Sequence, residues 1–273
     1  VTDLIHPTAV IHPGADLHAT VEIGAYVVIG AQVKIGSRTK VGHHVVIEGC
    51  TDIGADNQIS PGVVIGTEPQ DSNYQGEKSG VKIGDRNQIR EYVTIHRASG
   101  FQTLTTIGSD NLLMANVHVG HNCQIADQVV ITNSVALGGH VQVESQVNIG
   151  GVLGVHQFVH IGQLAMVGGM SRITRDVPPC MLVEGHPARV RALNQVGLQR
   201  HGILPAKQGE KGRLFKQAFR ILYRSDLTLK EALVQIELLS THPLLQHLCQ
   251  FLRDSQKPGR RGLIPGRRVL TSS

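Results

Sequence analysis

The sequence predicts a β-solenoid, a parallel β-helix of hexapeptide repeats followed by a C-terminal α-helical domain. Three observations carry that expectation. An aliphatic residue recurs every six positions over most of the chain. The position after it is often Gly, as in Ile23-Gly24, Ile35-Gly36 and Ile161-Gly162. Aromatic residues make up only 3% of the 273 residues, with no Trp and 31 Gly. A core of large aromatic anchors is thereby excluded, and small repeated units are favoured.

The repeat opens at Ile5 and runs through Ile11, Leu17, Ile23, Ile29, Ile35, Val41, Ile47, Ile53 and Ile59 to Ile65. It resumes at Ile83, Ile89 and Ile95, and again from Ile107 through Leu113, Val119 and Ile125 to Ile173. A period of six fits neither an amphipathic helix nor a simple hairpin. It fits short strands joined by tight turns, three to a coil, so that each coil takes 18 residues. The aliphatic side chain points into a narrow prism, and the following Gly permits a corner. Neighbouring coils supply the backbone hydrogen bonds. About nine coils at ~4.8 Å each give a prism ~40–45 Å long.

Two gaps interrupt the series. Over residues 66–82 the core positions would fall on Asp71 and Glu77, which would not be buried unpaired, so this segment loops out. A second loop is expected over 96–106. Long loops on a rigid scaffold often carry function. The solenoid is expected over 1–185, ending after Pro178-Pro179. A helical domain is expected over 186–256. It includes a helix in GRLFKQAFRILYRS, a second opened by the capping box Thr228-x-x-Glu231, and a third from Thr241 to about Asp254 with Pro243 in its first turn. These helices would cover the last coil's unpaired edge. Residues 257–273 read as a flexible basic tail.

Charge is divided along the chain. Lys and Arg number ten against sixteen Asp and Glu over 1–185, eleven against five over 186–256, and five against none over 257–273. An acidic partner would therefore dock toward the C-terminal side. Nucleic acid is not expected, because the basic residues are not interleaved with aromatics that could stack bases. The four cysteines are scattered without a CxxC pair, so neither a zinc ribbon nor a redox motif is signalled, and reduced thiols are the default. No signal peptide or transmembrane segment is evident, and a cytoplasmic protein is expected.

The 18-residue coil gives a positional test for function. Residues 18 apart share a column, which stacks His121, Gly139 and Gln157. His140 and His156 are their neighbours, and His118 lies just before the corner. Three readings stay open from spacing alone. The histidines can be plain turn residues of a non-catalytic scaffold, since others such as His6, His12 and His18 also fall on the repeat. His118-x-x-His121 can supply zinc ligands for a hydrase. The column can instead run acyl transfer, which needs a general base and an N–H for the developing oxyanion. Cys123, two residues from His121, should face differently and is read as structural.

Longer segments carry a resemblance. GDRNQIREYVTIHR (Gly84–Arg97), GSDNLLMANVHVGHNCQIAD (Gly108–Asp127), LGGHVQV (Leu137–Val143), GVHQF (Gly154–Phe158) and LYRSDLTLKEA (Leu222–Ala232), together with the hexads, resemble the UDP-N-acetylglucosamine acyltransferases that begin lipid A synthesis. The resemblance implies a homotrimer of left-handed parallel β-helices with active sites in the clefts between subunits. It implies transfer of an (R)-3-hydroxyacyl chain from acyl carrier protein to the 3-hydroxyl of UDP-N-acetylglucosamine, without cofactor or metal. His121 would be the general base and Gly139 the oxyanion N–H. Asp71 and His118 would hold the sugar, with His140, His156 and Gln157 contributing. Asn194 and Arg200 match nucleotide-binding positions, and Gly169 with its neighbour Met170 matches the region that measures acyl length. Three positions depart from the family's pattern: Asn73 where a Lys is common, Asn122 where an Asp is common, and Val196 in place of an acid. An amino-sugar nucleotide is the alternative acceptor.

Overall fold

The computed structural model describes residues 4–204 and 210–266. Three parallel sheets of nine, eight and ten strands form the sides of a left-handed β-helix, most strands being two residues long. Face 1 runs from Val10–Ile11 through His118–Val119, Val135–Leu137 and Leu153–Val155 to Arg172–Ile173. Face 2 runs from Asp16–Leu17 to His160–Ile161, and face 3 from Glu22–Ile23 to the pair Met181–Gly185 and Ala188–Leu193.

Pairing follows the period. Val28 lies beside Val46, and Val46 beside Val64. Across the first loop Val64 pairs Thr94, and across the second Thr94 pairs His118. The sequence offset between neighbouring coils is 18 in regular stretches, 30 across the first loop and 24 across the second. All three are multiples of six, so each loop leaves and rejoins the solenoid without turning the aliphatic positions outward. From Ile23 to Ile173 every one of those positions is buried. The first coil is an open end, and Ile5 is 45% exposed.

One core column was not foreseen. The space beside the aliphatic positions is filled elsewhere by β-branched residues such as Val27, Val45 and Val63, but one corner holds buried Asn57, Asn87 and Asn111, stacked above buried Thr39. Asn57 N–H donates to Thr39 Oγ1, Asn87 N–H and Nδ2 both donate to Asn57 Oδ1, and Asn111 N–H donates to Asn87 Oδ1. Val129 N–H then donates to Asn111 Oδ1, and the Asn111 Nδ2 has no partner among the described residues. Burial of an amide is tolerable here because each side chain accepts the next coil's N–H.

The C-terminal edge is covered differently from expectation. Ala188–Leu193, expected to open the helical domain, is a strand that pairs antiparallel with Met181–Gly185 and ends face 3. The helices follow: α1 (Gln195–Arg200), α2 (Glu210–Tyr223), α3 (Leu229–Leu239) and α4 (Pro243–Asp254). Thr228 and Glu231 form the full capping box of α3, and Pro243 opens α4. The tail is not free over its described part. Asp176, fully buried, accepts from Ser255 Oγ at 2.7 Å, Arg260 at 3.0 Å and the His160 N–H at 2.8 Å. Asp176 and Leu263 form a parallel bridge, and Ile264 is buried. A buried carboxylate needs those donors, and meeting that need straps the chain across the last coil. Residues 267–273 lie outside the described residues.

A second clamp joins α4 to the solenoid. Glu144 accepts from His160 Nε2 at 2.8 Å and His247 Nε2 at 2.6 Å, and Phe251 packs on the His160 ring at 4.6 Å. Burial pushes the Glu144 carboxyl up, but the two histidines outweigh it and hold the group down at about 2. The bond to Glu144 raises His247 against the effect of its burial, with Asp254 adding to the rise.

Two predictions follow from these contacts. Asn87→Ala should cost about 1–3 kcal/mol in urea unfolding, more than Asn111→Ala, because it breaks both sides of the ladder. The His247 contribution is complete below its unfolded value of about 6.5 and lost as pH rises through its raised folded value. That of Glu144 is complete above about 4.3 and lost as pH falls toward 2. The stability gap between the native protein and His247→Gln should therefore be widest between about pH 4.5 and 6.5 and should narrow as pH rises through the raised His247 value. A gap independent of pH would contradict the clamp.

Candidate functional site

The corner between faces 1 and 2 brings the predicted column together. A side chain at position 139 would press on the His121 ring, so glycine there leaves the ring its place. His140 N–H donates to the His121 carbonyl, and Phe158 N–H to the Gly139 carbonyl, so the three coils stack in the expected register. No acceptor among the described residues takes the Gly139 N–H.

His121 is held by its neighbour. Asn122 Oδ1 lies 2.8 Å from His121 Nδ1. Its amide is itself fixed at both ends by Ser99, whose N–H donates to Oδ1 at 2.9 Å and whose carbonyl accepts from Nδ2 at 3.1 Å. That double contact settles which end of the amide faces the ring. Since Oδ1 only accepts, Nδ1 carries the proton, and Nε2 is left bare on the side of Gly139. Asn122 adopts φ of 59°, a conformation asparagine tolerates better than most residues, and its N–H donates to Thr105 Oγ1.

Other predicted residues gather at the same edge. Asp71, on the first loop, accepts from the Asn73 N–H at 3.0 Å and the Asn73 amide at 3.2 Å. The Asn73 N–H, Ser99 and, further down, His121 hold its carboxyl below the usual range. Asn73, a departure from the pattern in the sequence resemblance, here shapes the Asp71 turn. His118 Nδ1 lies 2.9 Å from Thr94 Oγ1, and its ring is 5.2 Å from that of His96. Burial, then the neighbouring His96, lowers the His118 pKa. His140 meets His121 edge-on at 5.2 Å and stacks on Phe158 at 4.6 Å. Burial lowers it too, with His121 in support and Asp71 in opposition. His156 and Gln157 are exposed at the next coil. A hollow of about 340 Å³ runs along face 1 past His118, Ala136, Gly154 and His156.

Two predicted groups lie elsewhere in the single chain. Asn194 and Arg200 line a hollow of about 420 Å³ on face 3. Asn194 caps α1 through the Gly197 N–H and reaches the Leu164 carbonyl. Gly169 and Met170 sit at the corner between faces 3 and 1, where Met170 is 79% exposed. A hollow of about 810 Å³ lies at the open first coils around His6, Lys40 and His43, away from this chemistry.

Sequence reasoning gave no role to Ser99 or Arg97. Arg97, only 16% exposed, binds Gly66 O, Glu68 and the Tyr74 hydroxyl, and so ties the first loop beside the corner. Both residues follow directly on the Ile95 hexad, and a charged residue at the mouth of a loop was the available signal. Cys123 is buried with its sulfur 3.2 Å from Gly138 O, and burial pushes its thiol up to about 12, so it is no nucleophile. For the zinc alternative, His118 and His121 each have a different nitrogen partner, and no three metal-binding side chains converge among the described residues.

Comparison with known proteins gives a consistent result. A family model described as UDP N-acetylglucosamine O-acyltransferase, domain 2, matches residues 176–264, and the bacterial transferase hexapeptide model matches 104–139. An acyl-(acyl-carrier-protein)–UDP-N-acetylglucosamine O-acyltransferase of Gloeothece citriformis is 61% identical over 224 residues, 82% of this chain and 80% of that protein. The Synechocystis protein of the same name is 58% identical with the same coverage. Among solved structures, the Francisella novicida UDP-N-acetylglucosamine acyltransferase superposes with a TM-score of 0.90 at 32% identity, covering 97% of this chain and 95% of that one. LpxA from Acinetobacter baumannii gives 0.88 at 37% identity, covering 96% and 100%.

Burial separates the thiols sharply: Cys50 is exposed, and Cys123, Cys180 and Cys249 are buried. Brief maleimide treatment of the native protein should give one adduct by mass spectrometry, on Cys50. Labelling of Cys123 at a similar rate would contradict the packing at the corner.

Proposed function

We propose a working mechanism on one premise: the chain belongs to the acyl-(acyl-carrier-protein)–UDP-N-acetylglucosamine O-acyltransferase family. It is an acyltransferase, and it moves an (R)-3-hydroxyacyl chain from acyl carrier protein to the 3-hydroxyl of UDP-N-acetylglucosamine, the first step of lipid A biosynthesis. The observation that carries the mechanism is the His121 ring, with Nδ1 2.8 Å from Asn122 Oδ1 and Nε2 turned to Gly139.

In the proposed reaction His121 Nε2 takes the proton of the sugar 3-hydroxyl as the oxygen attacks the thioester carbonyl. The free Gly139 N–H accommodates the oxyanion of the tetrahedral intermediate. Collapse breaks the carbon–sulfur bond, and the imidazolium returns its proton to the departing thiolate. Asn122 fixes the ring but supplies no negative charge to the imidazolium, so orientation is its whole contribution. His118 and His140, both shifted toward the neutral form, can offer and accept hydrogen bonds to a neutral sugar without repelling the charged His121. Asp71 completes the sugar-holding edge, with His156 and Gln157 at the coil above.

Asn194 and Arg200, in the nucleotide-binding role, and Gly169 and Met170, as the limit of the acyl chain, belong to other faces of the same chain. We assign them to the site through a homotrimer, in which face 3 of one subunit meets face 1 of the next. The outer column of face 1 supports this, being Val10, Val28, Val46 and Val64, whereas face 2 presents Asp16, Lys34, Asp52 and Lys82. A row of valines that is exposed at Val10 and Val28 and half-buried at Val46 and Val64 asks for a cover. The proposal places the enzyme in the cytoplasm, and no helix among the described residues is long and apolar enough to cross a membrane.

His121→Ala should lower kcat by about 10²–10⁴-fold while the oligomer stays folded. The assay is mass-spectrometric, with UDP-N-acetylglucosamine and a panel of 3-hydroxyacyl carrier proteins. Near-normal turnover by the variant would remove His121 as base.

A further inference from the structure

A second concave region lies beyond the corner, at the C-terminal end of face 1. It encloses about 410 Å³ and is lined by Arg172, Arg175, His186 and Arg189, with Thr174 contributing. Arg261 stands at its rim, its Nε donating to the Thr174 carbonyl at 2.7 Å. Arg172, Arg175 and Arg189 pair with no carboxylate among the described residues, and the nearby acids are engaged elsewhere. Asp176 is buried against Ser255 and Arg260, and Glu184 lies 3.5 Å from Arg191. Gathering guanidinium groups around one hollow without an acid raises the local potential and favours an anion. Their forked geometry suits phosphate oxygens better than a diffuse charge.

The position of this hollow relative to the corner narrows the choice of anion. Register places His118, Ala136, Gly154 and Arg172 in one outward column of face 1. The column climbs three coil steps, about 14 Å at ~4.8 Å each. Between the His and the Arg stand the two smallest side chains, and a Cβ added at Gly154 would meet nothing within 4 Å. Arg172 and Thr174 line both hollows, so the wall is continuous from the histidines to the arginines. The nucleotide-binding candidates Asn194 and Arg200 line a separate hollow on face 3.

We propose that the Arg172–Arg175–Arg189 hollow binds the phosphodiester of the carrier protein's prosthetic arm while the thioester at the arm's other end reaches His121. The proposal rests on the acyl-transfer reading given above. It assigns the arginines to positioning the donor, remote from the reacting atoms.

The test uses the double variant Arg175→Gln/Arg189→Gln of the full chain and three acyl donors with the same acyl group: the acylated carrier protein, acyl-4′-phosphopantetheine, and acyl-pantetheine, which lacks the phosphate. The variant's oligomeric state and melting temperature are checked against the native protein. KM for the first two donors should rise about tenfold or more, with kcat nearly unchanged. KM for acyl-pantetheine and for UDP-N-acetylglucosamine should stay as in the native enzyme. A rise confined to the protein-bound donor would mean that the arginines meet acidic side chains of the carrier, and would overturn the phosphodiester assignment. A rise for UDP-N-acetylglucosamine would make the hollow a nucleotide site, and no change for any substrate would dismiss it. Failure of the native enzyme to transfer from any donor would instead overturn the acyl-transfer reading itself.

Discussion

The ladder of backbone hydrogen bonds between successive coils is the constraint on which the rest depends. Each two-residue strand is too short to persist alone, and its N–H and C=O groups are satisfied only by the coils above and below. That ladder fixes which residues stand over one another. Insertions must respect it, and both loops do, since the coil offset grows only by multiples of six. The loops can therefore change length and composition while the wall they spring from keeps its register. Asp71 and Ser99 reach the His121 corner from two loops because the coils that bear them are locked.

Chemistry is then obtained from a structural corner with few departures. A glycine in the column above a histidine leaves room for the ring and exposes an N–H. An asparagine beside the histidine, pinned by a loop backbone, selects one tautomer. The flanking histidines lose proton affinity first through burial and then each through a different neighbour, His96 for His118 and His121 for His140. The end of the solenoid is treated in the opposite manner. Buried Asp176 and partly buried Glu144 retain charge and use it to hold the strap and α4 against the last coils. Ionic contacts of this kind specify a docking geometry more than they add net stability.

The repeat was legible because a strict period leaves little freedom. The aliphatic positions, both loops, the capping box at Thr228 and the stacking of His121 under Gly139 all follow from counting residues. What escaped counting depends on particular partners. Asn57, Asn87 and Asn111 break the rule of small apolar filler, and only the matching N–H one coil away makes them acceptable inside. Ala188–Leu193 has the composition of a basic surface segment, yet it pairs back on Met181–Gly185. The anchoring of Arg260 and Ile264 answers a buried carboxylate distant in sequence. At the site, the grouping of His118, His121, Gly139 and His140 was readable, whereas the separation of Asn194, Arg200 and Gly169 onto other faces showed only in three dimensions. Asn122 was expected merely as a weaker substitute for an acid. Its grip on Ser99 makes it the part that orients the His121 ring.

The central claim is that this corner presents a bare Nε2 on His121 to the substrate. Long-range proton–nitrogen correlation on protein carrying nitrogen-15 histidine, with the His121 signal assigned by difference from His121→Gln, reads the tautomer directly. The account predicts a neutral ring protonated at Nδ1 with an unprotonated Nε2 near pH 8, and loss of that single form in Asn122→Ala. A ring protonated at Nε2, or one unaffected by Asn122→Ala, would contradict it.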